Sequence, residues 1–312
     1  MTLRLLALLA TLLLSACVAM PPPPPPSSNL ELIDLVDDFA AFQKSSDGME
    51  DKARIEAFKA HFATILPGFY SNERVRFPGY DGLMLKSLKE YPQQRAAIED
   101  MARRFRSQLA PAERSFEAQF GPMTGFRPII LVHSLGEFDG GTRSLPGGGH
   151  LMFGADVMAR MYANKNPQPF FHHELFHLYH SRSFDDCSAV WCNLWNEGLA
   201  TYVSHRMNPQ ATDNELLLET PVPLRPAVEA NRREAVCAVL AQLDSTDGKV
   251  NNALFSSGML SERLPPRSGY YIGYLIAAEA GKSRSLKELA QLSNAQVRQL
   301  LEKSLRDMAS CS

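Results

Sequence analysis

Apolar residues recur at helical spacing through the first third of the chain. Two such faces consist of Leu32, Val36, Phe39 and Phe42, and of Ile55, Phe58, Phe62 and Ile65. A third helix can begin at Pro92, and a short fourth can span 112–120 and end at Gly121. These patterns predict a helical region over residues 30–124, with no residues that suggest chemistry.

The middle of the chain changes to a strand pattern and the last third returns to helix. Residues 128–134 are typical of a buried strand, 136–149 of a loop, and 150–153 of a second strand. Further helices are predicted at about 224–243, 270–280 and 285–309. The pattern as a whole predicts an α+β fold, mainly helical, with a small β-sheet beside one of the central helices.

That central helix carries the sequence His173-Glu174-Leu175-Phe176-His177 within an apolar run. The two histidines lie four residues apart, so a helix places them on one face, where both can bind one zinc ion. Glu174 can then act as a general base toward a water molecule activated by the metal. By chance alone, such a pattern would appear in roughly one chain of this length in a hundred.

A second segment follows, Trp195-Asn196-Glu197-Gly198-Leu199-Ala200-Thr201-Tyr202, with Glu197 placed 20 residues after His177. Catalytic zinc typically has three protein ligands, and two histidines with one glutamate are a known set. The sequence therefore predicts a Zn²⁺ site formed by His173, His177 and Glu197. The alternative is an amphipathic core helix whose two histidines have ordinary packing and hydrogen-bonding roles and bind no metal.

Together the two segments resemble the gluzincin zinc metallopeptidases, over residues 125–280 at most. The Asn-Glu-Gly-Leu-Ala-Thr-Tyr sequence is similar to the third-ligand segment of the membrane-alanyl-aminopeptidase branch, whereas the 19 intervening residues are similar to the thermolysin branch. The resemblance implies a peptidase domain over 125–312 and a strand beside the zinc helix, at 150–153, that pairs with extended substrate. An ordinary internal hairpin is an equally good reading of that strand.

Two positions depart from the family pattern. The glutamate by which the aminopeptidase branch holds the substrate's amino terminus has no counterpart in residues 147–153, which argues against aminopeptidase activity. Ala200 stands where the thermolysin branch has an aspartate that orients a ligand histidine. Asp185, Asp186 and Asn193 are the nearby candidates for that orienting role.

Two other histidines lie close to the motif. His180 follows His173 by seven residues, about 10 Å along a helix, which one ion cannot bridge. We therefore expect His180 to be a supporting or surface residue. His172 points about 100° away from the metal face and is expected to be structural.

Further along the chain lies the segment Arg267-Ser268-Gly269-Tyr270-Tyr271-Ile272-Gly273-Tyr274. Peptide hydrolysis develops negative charge on the carbonyl oxygen, which a phenol or a cation can stabilise. Tyr270 and Tyr271 are the candidates, with Tyr271 slightly preferred. Tyrosines at helical spacing are, however, more often packing residues.

The amino terminus predicts export. Arg4 precedes an apolar run that ends in Leu14-Ser15-Ala16-Cys17, which is similar to a bacterial lipoprotein signal with residues 1–16 removed and Cys17 lipidated. An ordinary signal peptide is the alternative. By resemblance to Gram-negative sorting signals, Val18 after the cysteine implies the outer membrane, facing the periplasm. Residues 17–29, including Pro21–Pro26, are typical of a stiff tether.

Net charge and cysteine content bear on the binding partners and on the redox state of the compartment. A net charge of −2 gives no indication of nucleic-acid binding, and oligomeric state is not encoded in any visible pattern. The cysteines other than Cys17 allow three pairings, of which Cys187–Cys192 with Cys237–Cys311 is favoured for an oxidising periplasm. A four-cysteine zinc site is the rival interpretation.

The sequence thus predicts a lipid-anchored zinc metallopeptidase of the bacterial cell envelope, acting on peptide or protein substrates. Two alternatives stay open. One is a non-catalytic, zinc-stabilised lipoprotein that binds envelope partners, against which the intact Glu174 argues. The other is an aminopeptidase.

Overall fold

The computed structural model describes residues 29–185 and 187–311, which form twelve α-helices and one four-stranded sheet. The strands are β1 (Leu32–Asp34), β2 (Ile129–Val132), β3 (Gly140–Leu145) and β4 (Gly148–Gly154). The helices are α1 (Val36–Ser45), α2 (Asp51–Ile65), α3 (Tyr80–Phe120), α4 (Ala155–Tyr162), α5 (Gln168–His180), α6 (Val190–Met207), α7 (Leu224–Ala230), α8 (Arg232–Ala241), α9 (Gly248–Phe255), α10 (Ser268–Ala280), α11 (Leu286–Ala290) and α12 (Asn294–Met308). The predicted α+β class with mainly helical content is confirmed.

The sheet has the order β1-β2-β4-β3. β1, β2 and β4 run parallel, and β3 pairs antiparallel with β4 at one edge. All four side chains of β2 are buried, as its unbroken apolar sequence Ile-Ile-Leu-Val predicts for a strand covered on both faces. The sheet thereby forms the centre on which the helices pack.

Helix α3 corrects the prediction of separate helices beginning at Pro92 and spanning 112–120. It is continuous over 41 residues, with Pro92 and Pro111 inside it. A proline removes one backbone hydrogen bond and usually ends a helix. Here the same face remains buried on both sides of each proline, so tertiary packing holds the helix together, through Leu88, Tyr91, Ile98, Met101, Phe105, Leu109, Ala112 and Phe116.

Strand β3 corrects the prediction of a loop over 136–149. Its sequence Gly-Gly-Thr-Arg-Ser-Leu has no apolar alternation, because its side chains cover little of the core. Backbone pairing with β4 from Gly140 to Leu145 forms the strand instead. The predicted strand 150–153 lies inside β4, between β2 and β3, so it is not the edge of the sheet.

In the last third, the predicted helix 224–243 is divided into α7 and α8 at Asn231, and 285–309 is divided into α11 and α12. α9 was not predicted. Within the described residues, no helix is long and apolar enough to cross a membrane. The predicted signal sequence and Cys17, and nearly all of the predicted tether, lie outside the described residues.

Candidate metal centre and active-site cavity

The two predicted histidine ligands lie on α5 and the predicted glutamate on α6. The Nε2 atoms of His173 and His177 are 3.0 Å apart. Oε2 of Glu197 lies 3.3 Å from the first and 3.4 Å from the second. The structure therefore brings together the three residues that the sequence selected, in a group that could hold a metal ion.

The three ligand atoms fit a tetrahedral ion. Bonds of about 2.0–2.1 Å at the tetrahedral angle separate neighbouring ligand atoms by about 3.3–3.4 Å. The observed triangle, with edges of 3.0, 3.3 and 3.4 Å, matches this spacing closely. Oε2 of Glu197 is also buried without a hydrogen-bond partner among the described residues, which a bound cation would supply.

The protonation states suit a metal as well. Burial lowers the pKa of His173, which favours the neutral imidazole. Burial alone would raise the pKa of Glu197, but the neighbouring rings of His177 and His173 hold that pKa well below its usual range. Metal binding needs neutral imidazoles and an ionised carboxylate. The pKa shifts of His173 and Glu197 both favour the form that a metal needs.

Glu174 lies beside the three ligands with only 6% of its surface exposed. Burial raises its pKa to about 8, and the charges of Asp139 and Glu197 add to this while His177 opposes it. A cation held by the three ligands would favour the ionised form and so lower this pKa. Glu174 is therefore placed to exchange a proton near neutral pH.

Backbone packing against Glu174 requires glycine at position 140. A Cβ atom on Gly140 would lie 3.1 Å from the Glu174 carboxyl group and 2.6 Å from the Phe170 ring. Because Gly140 begins β3, its missing side chain lets the edge strand pass directly over the Glu174 carboxyl group. Sequence reasoning placed Gly140 in a loop and so missed this contact.

A cavity of about 460 Å³ opens in front of these residues. Its walls come from the start of β3, from α5 and α6, and from the start of α10. Asp139 and Arg267 line it too, and Asp139 belongs to no motif by which the sequence could have identified it. Asp139 accepts hydrogen bonds from the Tyr162 hydroxyl (2.8 Å) and from the Gly140 amide (3.0 Å).

The two candidate tyrosines have different surroundings. Tyr270 lines the cavity, and its pKa is raised well above the usual value by burial and by the neighbouring Glu197 carboxylate. Tyr271 is not part of the described cavity lining, and its hydroxyl donates a 2.8 Å hydrogen bond to Glu229 on α7. The preference for Tyr271 is therefore corrected in favour of Tyr270.

A close contact between α6 and α10 determines where Tyr270 lies. A Cβ on Gly198 would meet the backbone carbon of Gly273 at 2.2 Å, and a Cβ on Gly273 would meet the Leu194 carbonyl oxygen at 2.2 Å. Only glycine at both positions permits this approach. Since Gly198 follows Glu197 and Gly273 lies one helical turn after Tyr270, the contact brings the phenol close to Glu197, a candidate metal ligand.

The remaining histidines of α5 are structural. His172 shares hydrogen bonds with Ser115 (2.7 Å) and Asn208 (2.8 Å), as expected for its orientation. His180 is buried rather than on the surface, and its Nδ1 lies 2.9 Å from Oδ1 of Asn196, the residue before Glu197. Burial lowers the pKa of both rings to about 4.

Among the described residues, none of the three predicted candidates is seen to orient a candidate ligand histidine by a hydrogen bond. Asn193 lines the cavity, but its amide donates to Asn251 at 2.8 Å. The Asp185 carbonyl accepts from Asn294, and Asp186 lies outside the described residues. Nδ1 of His173 is buried with no partner in the part of the chain that the structure describes.

Both favoured disulfides are present. Cys187–Cys192 joins the connection between α5 and α6 to the first turn of α6, and Cys237–Cys311 joins α8 to the segment after α12. The rival interpretation of a four-cysteine zinc site is wrong, because all four thiols are consumed in these bonds. The first bond stabilises the connection between the two helices that carry the metal ligands.

No known protein family, curated protein or solved structure matches this chain.

Proposed function

We propose that this chain is a zinc-dependent peptidase of the gluzincin type. The observation that carries the proposal is the ligand triangle of His173, His177 and Glu197 with Glu174 beside it and an open cavity in front. A purely structural zinc site would close its fourth position with another protein ligand and would need no base. The site therefore favours a catalyst over the non-catalytic lipoprotein.

The chain's own residues would divide the reaction as follows. A zinc ion held by the three ligands would polarise water and the scissile carbonyl group. Glu174 removes a proton from the attacking water and returns it to the leaving amine. Tyr270 donates its phenolic hydrogen toward the carbonyl oxygen, where negative charge develops.

Strand β3 supports an extended peptide as the substrate. It is the edge of the sheet, and residues from Gly140 to Arg143 line the cavity. An edge strand presents unpaired backbone groups to which an extended peptide can add as a further strand. Such binding recognises the main chain and places few demands on side chains.

An aminopeptidase is less well supported. It needs a free acidic group in the cavity for the substrate's ammonium group. Both oxygens of Asp139, the cavity acid that is neither ligand nor base, already accept hydrogen bonds. Residues 147–153 contribute no acid, as the sequence indicated.

The proposed site of action is the bacterial cell envelope, with the membrane reached through lipid on Cys17. The sequence of the leader supports this placement. The two disulfides agree with an oxidising compartment.

The test separates zinc binding from chemistry. Glu197→Ala should lose zinc, because two neutral imidazoles alone bind it weakly. Glu174→Gln should keep zinc yet lose roughly 10²–10⁴-fold in turnover, since only the base is removed. Zinc content and cleavage of a peptide library, detected by mass spectrometry, are the two measurements.

Glu279→Gln provides the matched control, because this glutamate is exposed and forms an ion pair only with Lys282 among the described residues. It should retain both zinc and turnover. Near-normal turnover in Glu174→Gln would refute the mechanism. Stoichiometric zinc without any peptide cleavage in the wild-type protein would favour the non-catalytic lipoprotein.

A further inference from the structure

Arg267 is a cation of the cavity that the proposed reaction does not use. Its guanidinium group lies 4.3 Å from the centre of the Tyr270 ring, and the residue lines the cavity together with His173 and Glu197. Arg143 is the other arginine there, and it differs in one respect. Arg143 is paired with Glu137 at 3.3 Å, whereas Arg267 has no carboxylate within ion-pair distance among the described residues.

The lack of a partner is costly in this position. Arg267 is half-buried, and its Nε atom is enclosed with no hydrogen-bond partner in residues 29–185 and 187–311. A guanidinium group has five N–H donors in a planar fork and no acceptor. Partly buried donors of this kind normally meet an acceptor, so the missing partner points to a ligand.

The backbone of Arg267 is held in an unfavourable conformation. Its φ of 66° and ψ of 11° are left-handed, which residues with a side chain rarely adopt. Such conformations cluster at ligand-binding sites, where the surrounding structure maintains them. The residue also immediately precedes α10, whose positive dipole end adds to the attraction for an anion.

We propose that Arg267 binds a carboxylate of the substrate through its planar fork. The inference rests on the proposed peptidase function and specifies its substrate class. A guanidinium group matches a carboxylate with two parallel hydrogen bonds, better than it matches a single carbonyl oxygen. Tyr270 neighbours both the Arg267 guanidinium group, which lies over its ring, and Glu197, so the carboxylate belongs to a residue near the scissile bond.

Such a carboxylate has two sources in a peptide. One is the free carboxyl terminus, which would make the enzyme an exopeptidase that shortens chains from that end. The other is an aspartate or glutamate side chain next to the scissile bond. Matched N-acetylated hexapeptide libraries distinguish them, as free acids against C-terminal amides, and with Asp or Glu against Asn or Gln.

The zinc-loaded protein should cleave peptides that carry the relevant carboxylate about 10- to 150-fold more efficiently in kcat/KM than the neutral analogues, as expected for a charge-assisted hydrogen bond. Arg267→Gln should reduce that ratio to near one, and Arg267→Lys should restore part of it. Arg143→Gln removes the same charge from the same cavity and should leave the ratio unchanged, whatever it does to overall turnover.

Equal losses on acidic and neutral peptides in Arg267→Gln would overturn the proposal, because Arg267 would then act on a group that both share. An unchanged ratio, or no preference in the wild-type protein, would also overturn it. Binding of both libraries to Glu174→Gln, with and without Arg267→Gln, is measured by calorimetry. A carboxylate preference in binding that depends on Arg267, with no hydrolysis by the wild-type protein, would retain the carboxylate site and refute the peptidase.

Discussion

Adjacent tyrosines on α10 contact carboxylates on two different helices, and this difference can be tested at the level of single atoms. Tyr270→Phe removes the phenol beside Glu197 and should lower kcat by roughly 10²–10³-fold with zinc retained. Tyr271→Phe is the matched control. It breaks the hydrogen bond to Glu229 and should cost only about 1 kcal/mol of unfolding free energy, with kcat unchanged.

A different result would reassign the Tyr270 hydroxyl. If Tyr270→Phe weakens zinc binding and turnover falls in proportion, the phenol orients Glu197 and does not stabilise charge on the substrate. Zinc affinity measured with a chromophoric chelator, beside steady-state kinetics, distinguishes the two roles.

His133, buried at the end of β2, provides a prediction for pH. Burial lowers its pKa, although the neighbouring Asp156 opposes the shift. A folded-state pKa below the ordinary value of about 6.5 means that the unfolded chain takes up the proton first. The contribution of His133 is therefore present above about pH 6.5 and is lost as the pH falls from there toward its folded pKa.

His133→Asn should accordingly flatten the pH dependence between pH 5 and 7. The slope of unfolding free energy against pH should decrease by at most one proton, or about 1.4 kcal/mol per pH unit. Denaturant unfolding of the chelated protein measures both slopes, so that release of metal does not enter. Identical slopes for the two proteins would contradict the assignment.

The success of sequence reasoning at the residue scale depended on local geometry. Helical periodicity alone places His173 and His177 on one face. Bringing Glu197 to them requires α6 to pack on α5. Periodicity does not predict that packing, and the resemblance to the gluzincins implied it. The choice between Tyr270 and Tyr271 depends on how α10 is rotated against α6, and tertiary contacts determine that rotation.

At the scale of elements, the Gly198–Gly273 contact determines how closely α6 and α10 approach, and therefore where Glu197 and Tyr270 lie relative to each other. Gly273→Ala introduces a Cβ that would lie 2.2 Å from the Leu194 carbonyl oxygen. α6 and α10 must then separate, at a cost of about 1–3 kcal/mol. Zinc affinity and turnover should fall with stability, because Glu197 and Tyr270 move apart.

Gly82→Ala is the matched control for this change. Gly82 lies within α3, and a Cβ there meets nothing within 4 Å. Alanine should stabilise the protein by about 0.4–1 kcal/mol. Thermal and denaturant unfolding measure both variants, and equal stabilisation by the two would show that the helices do not need this close approach.

The element boundaries that the sequence missed share a physical cause. Pro92 and Pro111 would end an isolated helix, yet α3 continues because its neighbours bury the same face throughout. β3 lacks the apolar alternation of a typical strand because backbone pairing with β4 forms it. The periodicity of apolar residues shows which face of an element is buried. It does not show the neighbouring elements, on which both α3 and β3 depend.

At the scale of the whole molecule, the helical first third and the region that carries the candidate metal site share one hydrophobic core. β1 pairs with β2, and α3 contacts both α1 and α5. A fragment of residues 125–312 would lose the covering of β2 and one face of α5. We expect it not to fold, and we expect the chain from residue 29 onward to unfold in a single calorimetric transition.

Circular dichroism and zinc titration of the fragment test this expectation. Native-like helicity together with native zinc affinity in residues 125–312 would show that the two regions are independent. Two calorimetric transitions in the longer chain would lead to the same conclusion.

The Cys187–Cys192 bond implies an order of events during biogenesis. Before oxidation, Cys187 in the α5–α6 connection and Cys192 in the first turn of α6 are both thiols, close in sequence to His177 and Glu197. Thiolates are strong zinc ligands and compete with imidazole and carboxylate for the same ion. Oxidation withdraws them from this competition, so we expect crosslinking to precede metal loading at the proposed site. Zinc that binds before oxidation would instead be held partly by the thiolates, away from the proposed site.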